Sequence, residues 1–578
     1  MKRMSYMATT LFLTLFIGQA FASSSSSPNF LLIVADDMGF SDMGAFGGEI
    51  NTPNLDQLAN QGVRYTNFYV APTCSPTRSM LMTGQDSHLV GLGNMYEYTA
   101  PNQLQEKGYE GVLSLDFHTL PEILREHGYH TYMAGKWHLG KGPKHIPNAR
   151  GFDRSFSMLS GAGSYFSNKG SDEHTLKGQY TEDGKYLDNL PKNYYATKTY
   201  TDKIIEHIDS NKGDSKPFFA YLAHQAPHDP LMVPDDYLRK YKGKFDHGWD
   251  DLRADRVEKM KAMGILPMET KLGERLWYVP GFDKLKPLAQ VVTARKMEVF
   301  AAVVDYMDDE IGRLLRYLEE NNLRDNTYII FFSDNGPDSN DNARAYKKYP
   351  ATEKANWMAK TYTHGFQNWG RKGSYTAYGP SWAQVSATPF AGFKYTTYEG
   401  GIRSPLIVAT PEGALSGKIN NDAIMHVKDI APTLLELAGA TLPIQYKKEN
   451  IQAMQGKSWV TTLKGKSKSP RTDNDYIGTE LWQAKSIRKG DWKIVWMPEP
   501  FGTNDWQLYN LKKDPGERFD LSEEYPEIRR KMMEDWNEYA SINNIILPDR
   551  TIFDGMTEKL PPRPPVYAPD FGRGSERL

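Results

Sequence analysis

Pro28-Asn29-Phe30-Leu31-Leu32-Ile33-Val34-Ala35-Asp36-Asp37 is an apolar run of strand length that stops on two aspartates. With no polar alternation, it predicts a strand buried on both faces, as in a parallel sheet covered by helices on each side. Working outward, residues 54–61 read as a helix, 65–70 as a strand, 120–126 as a helix and 131–134 as a strand. Strand-like runs recur at 217–223, 328–333 and 406–409, with helical spacing at 293–321 and 429–437. This alternation predicts an α/β sandwich built on a largely parallel sheet. Residues 232–290 are charged and mixed, an excursion from the sheet.

The ends of the chain carry other signals. Met1-Lys2-Arg3, an apolar core over 7–17 and the small-residue pattern Ala20-Phe21-Ala22 predict a secretory signal peptide over 1–22, followed by a flexible Ser-rich N-terminus at 23–27. The apolar core is shorter than the ~20 residues that span a bilayer. A periplasmic or secreted protein with no stable membrane association is expected. The main domain is expected over 28–440, a lysine-rich linker over 441–475 and an α+β subdomain, an antiparallel sheet with one helix, over 476–550. A Pro-rich extended tail closes the chain at 551–578. With 69 basic against 71 acidic residues, the charge balance speaks against a nucleic-acid partner.

Cys74 is the only cysteine in 578 residues. It has no disulfide partner, and thiolate metal sites need several such ligands. It lies in Ala71-Pro72-Thr73-Cys74-Ser75-Pro76-Thr77-Arg78, between a strand and a helix expected to begin near Pro76. A helix start offers free N–H groups to an anion, and Arg78 adds a fixed positive charge one turn later. A free cysteine is more often a small core residue; the turn and the arginine favour a chemical role.

Three more turns follow apolar runs: Lys136-Trp137-His138, His224-Gln225-Ala226-Pro227-His228 and Asp334-Asn335-Gly336. In open α/β sheets ligands collect outside the carboxyl ends of the strands, so these turns can converge on one site. Asp36, Asp37, Asp334 and Asn335 offer oxygen ligands only, the preference of Ca²⁺ or, less favoured, Mg²⁺. Singly, such turns are usually caps or hairpins; as a pair flanking Cys74 they read as a metal site. An anion held there needs positive groups and a general acid; singly, Lys136 or Lys394 reads as a solvated surface charge.

Cys74-Ser75-Pro76-Thr77-Arg78 resembles the Cys-X-Pro-X-Arg signature of type I sulfatases, in which a maturation enzyme converts the cysteine to formylglycine. The resemblance covers roughly residues 28–540 and is closest to bacterial arylsulfatases. It implies an alkaline phosphatase-like fold, a large mixed mostly parallel sheet sandwiched by helices. It also implies a hydrated aldehyde at residue 74 that attacks the sulfur of a sulfate ester. Asp36 and Asp37 match the family's first metal pair and Asp334 and Asn335 the second, with residue 74 a further ligand. Lys136 and Lys394 match the sulfate lysines, His138 the histidine on the aldehyde hydrate, His228 the leaving-group acid, and Arg78 the arginine that steadies the formylglycine. The implied partners are a small-molecule or carbohydrate sulfate ester and the formylglycine-generating enzyme.

The resemblance leaves a phosphomonoester or phosphonate monoester hydrolase as the alternative, with a noncatalytic binder of sulfated glycans more remote. A cysteine phosphatase is disfavoured because its arginine follows the cysteine after five residues, here after three. His224 reads as a hydrogen-bonded structural histidine. Trp357, Trp369, Tyr375, Tyr378 and Trp382 crowd the segment 338–392, where they could stack on substrate or simply pack a loop.

Overall fold

The computed structural model describes residues 27–171, 176–341, 357, 360–413, 415–441, 445–446, 449–450, 453–550 and 553. The expected signal peptide, nearly all of the Ser-rich N-terminus and, apart from Phe553, the Pro-rich tail lie outside these residues. Among the described residues no helix is long and apolar enough to cross a membrane.

Ten strands form one mixed sheet. They are β1 (Asn29–Ala35), β2 (Val63–Tyr69), β3 (His130–Lys136), β4 (Arg154–Met158), β5 (Tyr180–Glu182), β6 (Lys185–Tyr186), β7 (Phe218–Ala223), β8 (Thr327–Ser333), β9 (Arg403–Ala409) and β10 (Ile419–His426). Their order is β10-β2-β9-β8-β1-β7-β3-β4-β5-β6, which puts the opening run of the sequence near the middle, between β8 and β7 and parallel to both. Every residue of β1 is buried.

Alternation along β1 divides the core into two layers. Leu31, Ile33 and Ala35 face one layer, with residues of the helices Pro53–Gln61, Ala196–Ser210, Trp249–Met263 and Pro287–Glu320. Phe30, Leu32 and Val34 face the other, with the helices Cys74–Thr83, Leu120–Glu126 and Ile430–Ala438. Side chains on a strand alternate between faces, so a run that must satisfy two apolar layers has no room for polar residues.

The excursion at 232–290 carries Trp249–Met263, a strongly charged helix that still puts Trp249, Leu252, Val257 and Met260 into the first layer. Within 441–475, Trp459 is fully buried in the second layer and its Nε1 donates to Asp429 Oδ2 at 3.2 Å. Farther on, strands Tyr476–Leu481, Ala484–Lys489, Trp492–Trp496 and Trp506–Asn510 form an antiparallel meander. The helix Pro526–Ile542 packs Met532, Trp536 and Tyr539 on Ile487, Ile494 and Leu508 of that sheet.

Candidate active site

Strand direction decides which turns can meet. β8, β1, β7 and β3 are parallel neighbours, and β2 shares their direction because it is antiparallel to β9, itself antiparallel to β8. Their carboxyl ends therefore lie along one edge, where β9 begins. Asp36 follows β1, Cys74 follows β2, Lys136 ends β3, His228 follows β7, Asp334 follows β8 and Lys394 precedes β9. Two glycines allow the close approach. A Cβ on Gly135 would lie 1.8 Å from Ala223 O, and one on Gly336 would lie 1.9 Å from Gly400 O.

Cys74 is the first residue of its helix, two residues before the expected start, and is buried with Sγ 3.5 Å from Asp36 Oδ1. Arg78, one turn on, is fully buried; Nε and Nη2 lie 2.8 and 2.7 Å from Asp334 Oδ2, and Nη1 donates to Lys136 O at 2.7 Å. Lys136 Nζ donates to both oxygens of Asp36, at 2.9 and 2.8 Å. Lys394 Nζ sits 2.8 and 2.9 Å from the oxygens of Asp37, 3.2 Å from His228 Nε2 and 3.3 Å from Asp338 Oδ2. His228 turns Nδ1 toward Asp229, 2.6 Å from its carbonyl and 3.2 Å from Oδ1.

The charges explain the protonation states. Burial opposes ionisation of Asp36, yet Lys136, His228, Arg78 and Lys394 hold its carboxyl well below the usual carboxylate range. Asp334 moves the other way, to about 6, because burial and the neighbouring Asp36 charge outweigh Arg78. Burial pushes the Cys74 thiol up, beyond what Lys136 and Lys394 can offset. Burial would lower His228, but Asp37 raises it to about 9. His138 falls to about 4, since burial and Lys136 outweigh its contact with Glu97.

His138, two residues after Lys136, lies on the Glu97 side of this cluster, where Lys136 and Arg78 still bear on its charge. Its backbone is left-handed (φ 59°), its ring packs against Gly161, and Nε2 lies 3.9 Å from Glu97 Oε2. His224 is fully buried, and neither ring nitrogen meets a hydrogen-bond partner among the described residues. This corrects the expected hydrogen-bonded histidine; burial alone lowers it to about 3 and keeps it neutral. Of the aromatic residues at 338–392, Tyr375, Tyr378 and Trp382 are core residues, Tyr378 stacking on Phe300 at 4.3 Å and Trp382 Nε1 donating to Thr293 O. Loop packing accounts for these three. Glu97, Asp229 and Asp338 were not singled out in the sequence, although the last two lie beside His228 and four residues after Asp334.

Asp36, Asp37, Cys74 and His228 each bring a ligand atom within 4.8 Å of the others, and His228, Asp229 and Asp338 form a second such group. Asn335 Nδ2 donates to Asp37 Oδ1 at 2.6 Å, while its Oδ1, fully buried, has no partner among the described residues. A buried, unpaired amide oxygen beside carboxylates fits a hard cation.

The profile of the sulfatase family matches residues 28–440. The chain belongs to the sulfatase family. It is a hydrolase of sulfate esters. A second profile, N-sulphoglucosamine sulphohydrolase, C-terminal, matches residues 393–541. An uncharacterized sulfatase of Schizosaccharomyces pombe is 37% identical over 540 residues, 91% of this chain and 95% of its own. The arylsulfatase of Klebsiella aerogenes is 36% identical over 462 residues, 79% of this sulfatase and 96% of its own. Among solved structures, a protein in complex with its substrate D-glucosamine-2-N,6-O-disulfate superposes with a TM-score of 0.57 at 23% identity, covering 90% of this chain and 98% of that one. At that identity the likeness establishes the fold.

Proposed function

We propose that this sulfatase is an exported, arylsulfatase-type enzyme that cleaves sulfate monoesters with a formylglycine formed at residue 74. The observation that carries the reading is the place of Cys74: buried at a helix start, 3.5 Å from Asp36, between two lysines that each rest on an aspartate. A buried thiol held protonated is a poor nucleophile, so the cysteine as encoded does not suit displacement at sulfur. Formylglycine, as its hydrate, supplies a hydroxyl nucleophile in its place. A divalent cation, Ca²⁺ ahead of Mg²⁺, would be held by Asp36, Asp37, Asp334, Asn335 and residue 74, and supplies positive charge against which an anionic ester can bind.

The chain's own groups are assigned the remaining work. Lys136 and Lys394 hold the nonbridging oxygens of the sulfate group. His228 gives a proton to the departing alcohol oxygen through Nε2, while Asp229 holds the other face of its ring. His138, kept neutral by burial, accepts a proton on the residue 74 side. Arg78 neutralises Asp334 and fixes the start of the helix to β3 through Lys136 O. Aryl and sulfated-carbohydrate esters are the substrate classes supported by the names of the relatives and by the glucosamine disulfate complex. The signal at residues 1–22 supports export, to the periplasm or medium, and the Cys-X-Pro-X-Arg stretch supports recognition by a formylglycine-generating enzyme.

Paired 4-nitrophenyl sulfate and 4-nitrophenyl phosphate test the reaction. Faster release from the sulfate ester, abolished in Cys74→Ala without loss of fold, is expected. A preference for the phosphate would make the protein a phosphomonoester hydrolase instead.

A further inference from the structure

Beside the anion site the chain builds an aromatic wall that the chemistry above does not use. Residues Tyr96–Tyr98 form one tight turn that brings Glu97 to His138. Tyr98, the next residue, is 44% exposed and stands edge-on to Trp482, with ring centroids 5.3 Å apart. Tyr395 directly follows Lys394; its ring lies 5.2 Å from Lys394 Nζ and 5.1 Å from the ring of Trp482. Trp482 is buried, with Nε1 donating 2.8 Å to Asn94 Oδ1, so it supports the two tyrosines from behind.

The wall is tied to the residues that precede Cys74. Tyr395 N donates to Pro72 O at 2.8 Å, and Thr73 Oγ1 lies 3.1 Å from Met95 Sδ. It also uses costly backbone. Tyr395 (φ 74°) and Trp482 (φ 53°) are bulky residues in the left-handed region, where a hairpin turn such as 481–484 would ordinarily carry Asn or Gly. Such positions are costly and cluster where a side chain must be aimed. Besides Lys394, whose charge the anion site uses, the charged group at this wall is Glu97, 3.9 Å from the neutral ring of His138. A second sulfate or carboxylate on the substrate would meet Glu97 there.

We propose that Tyr98 and Tyr395, backed by Trp482, form the leaving-group subsite, which takes a flat, uncharged ring on the alcohol side of the sulfate ester. This rests on the sulfate-ester reading and narrows its substrate class: aryl groups and neutral pyranose faces share the required chemistry, and multiply charged glycan segments lack it. Ring stacking of this kind is worth roughly two- to tenfold in binding.

Tyr98 is on the surface, so Tyr98→Ala and Tyr98→Phe test the subsite without disturbing a core. The probes are 4-nitrophenyl sulfate, galactose 6-sulfate and hexyl sulfate, with inhibition by inorganic sulfate reporting on the anion site. Tyr98→Ala is expected to lower the kcat/KM ratio of the aryl ester over hexyl sulfate about five-fold, mainly through KM, and Tyr98→Phe to restore it. A matching fall for galactose 6-sulfate would add the neutral sugar to the accepted rings; no fall would restrict the subsite to aryl groups. A ratio unmoved in Tyr98→Ala, or a parallel rise in the inhibition constant of inorganic sulfate, overturns the proposal. Wild-type protein that releases sulfate from none of the three esters instead refutes the functional reading on which it rests.

Discussion

His88 offers a quantitative test of how the two sheets are joined. Its ring is buried between Nδ1···Asp86 Oδ1 at 2.7 Å and Nε2···Glu480 Oε2 at 3.2 Å, and Glu480 belongs to the C-terminal meander. Tyr539 OH donates to Asp86 at 2.8 Å, Lys428 Nζ lies 3.8 Å from the same carboxylate, and Tyr109 packs on the imidazole at 6.0 Å. Burial opposes the charge on His88, but the two carboxylates raise its pKa from 6.5 to about 9. At about 1.4 kcal/mol per tenfold, that rise contributes roughly 3 kcal/mol to stability. The sign follows from the raised value: the contribution is complete below the unfolded pKa of 6.5 and fades as pH climbs through 9. On the acid side Asp86, held below the usual carboxylate range, keeps its charge until strongly acid pH. Urea unfolding of wild type and His88→Gln at about pH 6 and about pH 10 reads the difference. Wild type should lose about 3 kcal/mol more than the variant between the two pH values. Parallel stability curves would refute the charged bridge.

Two further outcomes are expected. Asp229→Asn should depress turnover of alkyl sulfates about ten-fold more than that of 4-nitrophenyl sulfate, whose good leaving group needs little protonation; equal losses on both esters would contradict the assignment of Asp229 to His228. Adding Ca²⁺ to chelator-stripped protein should raise its Tm, by an amount equivalent to about 2.7 kcal/mol at a hundredfold excess over Kd. Asn335→Ala should lose most of that rise, and an unchanged Tm in wild type would count against the metal site.

The run at 28–35 could be read directly because β1 must satisfy two apolar layers and so carries a signal with no polar interruption. The opposite holds for β10, an edge strand whose exposed Asn421 and Asp422 sit where its register shifts between Asn420 and Ile424, which hides its periodicity. Trp249–Met263 was obscured by charge: the few apolar contacts it makes are spaced among Asp, Arg, Glu and Lys. The meander strands stood out because each ends at a turn and alternates between two packed faces. For the site, a charged turn after an apolar run located Asp36, Lys136, His228 and Asp334, since strand ends share one edge. Glu97 and Trp482 could not be found that way. Glu97 meets His138, and Trp482 packs behind Tyr395, from turns separated from the strand ends by other elements, and a local pattern carries no record of which turns fold over an edge. The aromatic run at 338–392 shows the converse limit, because composition does not say that Tyr375, Tyr378 and Trp382 point inward.

Residue 74 itself gives the most direct test. Active protein, produced with a formylglycine-generating enzyme, is digested and the mass of the peptide containing residue 74 is measured alongside turnover. An aldehyde or its hydrate in place of the thiol, in proportion to activity across preparations, is the predicted result. Full sulfate release from protein whose residue 74 is entirely unmodified cysteine would contradict it.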